Sequence, residues 1–220
     1  LSGALAYHFH LEPGQSKSIV IAIPLFDVKD ELQLFINRDR KRIPNTNSFY
    51  DQILKEMRSF WQEQINKVVF SVPDTNVVNT FMAQIGYILI NQDSVSIQPG
   101  SRNYKRSWMR DGSLTSAALL RVGRSDVVRQ FLEWYAERVT PEGLVPPVLN
   151  NDGTVNLGFG SNLEFDSQGE FVFAMMEFYR FTRDKEFLQK HYEKIKRALL
   201  FMSHLRAKTL VSDYMKNEQA

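Results

Sequence analysis

Two stretches of this chain constrain its fold more than any other feature: 112–123 and 167–182 have helical character, are apolar nearly all round and are rich in small residues. A helix without a polar stripe is stable only when it is buried on two sides. Each stretch passes, after one or two residues, into a helix of the opposite kind. Segment 125–139 places Val127, Val128, Phe131, Tyr135 and Val139 on one face, and 184–206 does so with Phe187, Leu188, Ile195, Leu199, Met202 and Leu205. Both have charged outer faces. The order is inner helix, short link, outer helix, long loop, and then the same again. Short links near Gly123 and Arg183 join antiparallel neighbours, so the long loops 92–111 and 140–166 are expected to emerge together at one end. That order suits a helical-hairpin barrel or a helical solenoid, and no fixed sequence period of the kind a repeat array carries is present.

Upstream the pattern changes. Leu5, Tyr7, Phe9 and Leu11, then Ile19, Ile21, Ile23 and Leu25, alternate with a period of two around Pro13 and Gly14, which predicts a β-hairpin. Two strands alone are marginal in water, so the hairpin is expected to complete a larger sheet. His8 and His10 share a strand face, but no third ligand is in view and a solvated face is the expected role. From Asp27 to Asn47 a charged run and an Asn/Thr/Ser cluster read as a linker. Ser48 is expected to cap an amphipathic helix carrying Phe49, Ile53, Met57, Phe60 or Trp61, and Ile65 on one stripe. Pro73 and a cap at Asp74 or Thr75 open the next helix, 75–91, with Val77, Val78, Phe81, Met82, Ile85, Ile88 and Leu89. The expected organisation is therefore the end of a β domain at 1–26, a linker with an amphipathic helix at 27–73, and a helical domain at 74–220.

Composition narrows the function classes. A net charge of +2 with both signs interspersed leaves no basic stripe for nucleic acid. The apolar runs are too short to span a bilayer. With no cysteine there is no disulfide framework, thiolate metal site or cysteine nucleophile, and the compartment stays open. Neither a metal nor a cofactor is called for. The chain starts at Leu1 without a signal-peptide pattern and reads as a piece of something longer.

The chemistry-bearing residues sit where the long loops end. The first closes on WMRDG, bringing Trp108, Arg110 and Asp111 within four positions; the second closes on LEFDSQGE, placing Asp166 at what reads as the matching position before the second inner helix. Asp111 can cap free N–H groups of its helix, and the helix dipole favours its charge there. The same residue types suit a polyhydroxylated ligand: carboxylate and guanidinium groups bond vicinal hydroxyls, and an aromatic ring covers the apolar face of a sugar.

SWMRDGSLTSAALLRVG and EFDSQGEFVFAMMEFYRFTRD together resemble the six-hairpin (α/α)6-barrel glycosidases, in particular the glucoamylase family and its bacterial relatives. The first is similar to that family's aromatic-x-Arg-Asp motif before an inner helix, the second to its Asp-x-x-Gly-Glu helix start. The hairpin, linker and amphipathic helix are similar to the β-sandwich and connecting segment that precede the barrel in bacterial members. The resemblance spans nearly the whole chain and is most specific over 104–205.

It implies a mainly α protein, an incomplete (α/α)6 barrel preceded by a β-hairpin from a β-sandwich and a linker helix. It further implies hydrolysis of a glycosidic bond in an oligo- or polysaccharide, commonly with inversion, with no cofactor and a carbohydrate as partner. Arg110 and Asp111 would hold sugar hydroxyls, Trp108 would form a wall, Asp166 would be a second rim residue and Glu170 would be structural. Inversion needs an acid and a base roughly 6.5–9.5 Å apart. In the family both come from later loops, so the catalytic pair is expected beyond Ala220, and Glu164 and Glu170 are the only rivals here. Phosphorolysis is the sister reading within the fold. The alternative outside it is a non-catalytic helical scaffold that binds a protein or glycan on the long-loop face.

Overall fold

The structure, a computed structural model, describes residues 4, 6–19, 21, 46–156 and 164–209. The linker 27–45, most of the second hairpin arm and the loop 157–163 lie outside the described residues. Chain contacts divide the protein into two units, Leu1–Gln62 and Glu63–Ala220.

In the first unit the turn at Pro13 and Gly14 is present, closed by a hydrogen bond from Gln15 N–H to Glu12 C=O at 2.9 Å, with Gly14 at φ +81°. None of the described residues flanking it lies in a strand, and all are exposed. An alternating pattern makes a strand only when a ladder partner and a surface to cover are available. Helix α1, Thr46–Ile65, whose residues from Glu63 on belong to the second unit, starts two residues before the expected cap at Ser48. Its apolar stripe of Tyr50, Ile53, Met57 and Phe60 is about half exposed.

The second unit is mainly helical. Helix α2 (Thr75–Ile90) is capped by Asp74, whose carboxylate accepts from Asn76 N–H at 2.9 Å. A two-residue antiparallel ladder follows, β1 (Gln92–Asp93) with β2 (Ser96–Ile97). Strand β3 (Ser107–Trp108) leads directly into α3 (Met109–Arg121), and a tight link with Gly123 at φ +77° gives α4 (Ser125–Ala136). After the second long loop, which contains β4 (Val148–Leu149), come α5 (Asp166–Thr182) and α6 (Lys185–Thr209). The helices expected from periodicity are all present, with ends shifted by a few residues.

Helices α3 and α5 make the most extensive helix contact, and α5 with α6 the next. Their polar pairs run in step: Arg110 with Asp166, Ser113 with Glu170, Arg121 with Glu177. The two inner helices therefore run side by side in the same direction. Phe131, Leu132 and Tyr135 of α4, Met109 and Leu119 of α3, Phe171, Met175 and Phe178 of α5 and Phe187 of α6 form a core that water does not reach. Each such side chain contributes about 1.5–3 kcal/mol relative to exposure. The opposite faces of these two helices, expected to be buried on two sides, are open: Leu114 is 60% exposed, Phe173 38% and Phe181 47%.

Candidate functional site

The two long loops do meet. Strand β3 pairs antiparallel with β4, Ser107 opposite Leu149 and Trp108 opposite Val148, and Met109 N–H donates to Pro147 C=O at 2.9 Å. This ladder fixes the start of α3 beside the second loop. A buried polar set holds that loop from below: Tyr135 Oη donates to Pro146 C=O at 2.7 Å, and Gln168 Nε2 donates to Val145 C=O at 3.2 Å. Ser167 Oγ lies 2.8 Å from Val145 O and 3.0 Å from Glu164 O. Burial pushes the Tyr135 hydroxyl well above its ordinary range, and the nearby negative charge of Glu164 adds to that. Tyr135 is thus a neutral hydrogen-bond donor under the loop.

On this base Arg110, two residues into α3, reaches across to the start of α5. Its Nη1 donates to Asp166 Oδ2 at 2.8 Å and to Glu164 Oε2 at 2.9 Å, with all three side chains a little under half exposed. Those two bonds, Asp166 first, raise the guanidinium pKa still further, so Arg110 is a permanent cation. Trp108 is half-buried at the edge, its ring 6.0 Å from Tyr104 at 47° and 5.1 Å from the Arg106 guanidinium. Arg110 and Asp166 are brought together as expected residues of one site; Glu164 and Tyr104 join them.

Two expectations are corrected. Asp111 does not cap α3. The helix begins at Met109 with Trp108 at the cap position, so Asp111 is the third helical residue and makes no capping bond. It keeps only the favourable end of the helix dipole. The β3 ladder explains the shift, because it sets Trp108 extended at φ −90° and ψ 135° and the chain turns helical immediately after it. Nor do Asp111 and Asp166 occupy matching positions. Asp166 is the first residue of α5, and the counterpart of Asp111 by helical position is Gln168. What does match is the next pair of positions. Gly112 and Gly169 correspond, as do Ser113 and Glu170, and the last two meet: Ser113 Oγ lies 2.5 Å from Glu170 Oε2 and 2.8 Å from Arg110 C=O.

Glu170 therefore ties one inner helix to the other. Among the described residues Asp111, half-buried, has no hydrogen-bond or ion-pair partner, which leaves its carboxylate available beside Arg110. Sequence reading missed Tyr104, whose only local signal is an aromatic four residues before Trp108, and Gln168 and Tyr135, which look like ordinary helix residues until the loop passes over them.

The set comprises a fixed cation, three carboxylates and a tilted aromatic pair on one rim. It can bond hydroxyls in pairs and cover an apolar ring face. Among the described residues no group of His, Cys, Asp and Glu is arranged to hold a metal ion, and no helix is long and apolar enough to cross a membrane. No family model matches the chain, and neither a curated protein nor a solved structure is significantly similar to it.

Proposed function

We propose that this chain supplies the sugar-holding rim of a glycoside hydrolase whose helical domain is an (α/α)6 barrel related to the glucoamylases. The observation that carries the reading is Arg110, held at the start of α3 by Asp166, the first residue of α5, and by Glu164 just before it, beside the free carboxylate of Asp111 and the Trp108 ring. Two parallel inner helices with antiparallel outer partners and both long loops at one end also support it. In this reading Arg110 and Asp111 bond neighbouring hydroxyls of one sugar unit, Trp108 lies against its apolar face, and Asp166 orients Arg110 and lines the rim. Glu164 and Glu170 are both engaged by protein groups, so the acid and base that break the bond are assigned to other residues.

Titration of the protein that carries this chain with linear oligosaccharides, followed by calorimetry and by release of reducing sugar, tests the reading. Arg110→Ala and Asp111→Asn are each expected to weaken oligosaccharide binding or turnover by at least about tenfold, the effect of one lost charged hydrogen bond of 1.5–3 kcal/mol. Wild-type behaviour of both variants would refute it. Cleavage that depends on phosphate would move the assignment to a phosphorylase, and binding without any cleavage would support the scaffold alternative.

A further inference from the structure

His191 stands apart from this site. It lies on the buried face of α6, 2% exposed, and neither Nδ1 nor Nε2 has a hydrogen-bond partner. Its ring packs on Phe187 at 4.7 Å, and Phe187 packs on Phe178 of α5 at 4.3 Å. The Arg129 guanidinium of α4 lies 5.2 Å from the Phe178 ring and 5.4 Å from the Phe187 ring. The imidazole thus closes an aromatic row on which three helices converge.

The charged groups acting on it are Arg129 and Glu133 from α4 and Lys190 and Lys194 from its own helix; α5 meets the row through Phe178. Three of those four groups are cations. The carboxylate acting on it, Glu133, is already engaged by Lys190 at 3.0 Å and by Arg129 at 3.8 Å, and Arg129 is also paired with Asp184 just before α6. A proton arriving on His191 would add a fourth positive charge in a place with no acceptor and no water contact. Burying an unpaired charge is far costlier than burying a neutral ring, and the cheapest relief is to expose the ring.

We propose that His191 is an acid-operated release for α6: neutral, it lets the helix seat against α4 and α5, and once protonated it drives that part of the helix off them. Burial first, then Lys190 and Lys194, hold its pKa in the fold below the ordinary 6.5. The closed form is therefore fully favoured above pH 6.5. As the pH falls from there towards the folded value, opening takes up at most one proton, and the open fraction rises by at most about fivefold over the first pH unit.

The test is amide hydrogen exchange of the whole chain at pH 7.5, 6.5 and 5.5, corrected for intrinsic rates. It is combined with NMR titration of the histidine ring protons and repeated on His191→Phe and His191→Gln. Opening of the α6 amides around Phe187–Ala198 is expected to increase severalfold, at most about fivefold, from pH 6.5 to 5.5 in the wild type, with His191 in the closed form titrating below the ordinary 6.5. In His191→Phe, which keeps the aromatic row, that increase is expected to vanish. An unchanged increase in the variant, or a His191 that titrates like an exposed histidine, would overturn the proposal. Should His191→Phe fail to fold, His191→Gln and the wild-type titration decide it in the same way.

Discussion

At Gly112, where the chain leaves the candidate site, the space for a side chain is already filled. A Cβ built there would stand 2.3 Å from Cζ of the fully buried Phe131 ring. Gly112→Ala is expected to destabilise the protein by about 1–3 kcal/mol, the cost of overpacking a closed core, as read from denaturant unfolding. Gly169, the corresponding residue of α5, has nothing within 4 Å of its would-be Cβ and is exposed. Gly169→Ala should stabilise by about 0.5–1 kcal/mol through helix propensity. Two glycines alike in sequence position are thus expected to respond with opposite sign. The difference lies entirely in what the fold sets against them. The same holds for Asp111. Its place at the end of the long loop, just before the expected helix at 112–123, suggested a cap, and only the β3–β4 ladder reveals that the helix has already begun.

The helices are tied by short polar joints at their ends. Arg183 closes α5 in the left-handed region at φ 56°, and Asp184 opens α6 by accepting from Phe187 N–H at 2.8 Å while pairing with Arg129. Arg183→Gly is expected to raise stability by about 0.5–1 kcal/mol, since glycine adopts that conformation without the Cβ penalty. At the other link Arg124 is buried, bonded to Gln64 C=O at 3.1 Å, to Gln64 Oε1 at 2.8 Å and to both oxygens of Asp126. Burial alone would raise the Asp126 pKa, but the hydrogen bond and charge of Arg124 outweigh it and hold it below the ordinary 3.8. Asp184 is also held below that value, by the Phe187 N–H first and then by Arg129.

A carboxyl depressed in the fold adds stability above its unfolded pKa and loses it as the pH falls through the folded one. Stability is therefore expected to drop from about pH 4 downward, and Asp126→Asn should flatten that drop by one group's share while lowering stability near neutrality. Urea unfolding across this range measures both. The helices themselves were legible from residue spacing. The cross-helix parts of their end joints were not, because Arg124 and Asp184 find Gln64 and Arg129 on other helices.

For the helical unit as a whole, the inner helices have one face in the core and one face open. Phe81, Leu114, Phe173 and Phe181 are between 38% and 60% exposed, and an apolar cleft of about 170 Å³ between α2 and α3 is lined by Phe81, Ile85, Ile88, Ala118 and Leu119. Apolar surface of this kind favours association. The 220-residue chain by itself is expected to bind a hydrophobic dye or to self-associate, which fluorescence titration and sedimentation would detect; a monomer that leaves the dye dark would contradict it.

What the sequence by itself determined is local: where the helices run, and that the two long loops share an end. Periodicity over three or four residues and link length are sufficient for each of these, because they act between near neighbours. The tertiary structure alone decided that Arg110 meets Glu164 and Asp166, that Ser113 meets Glu170, that Asp111 is left free and that His191 is buried without a partner. Those contacts depend on how α3 crosses α5 and how α6 seats against both of its neighbours. Residues more than fifty positions apart are brought together there by packing, which no local pattern encodes.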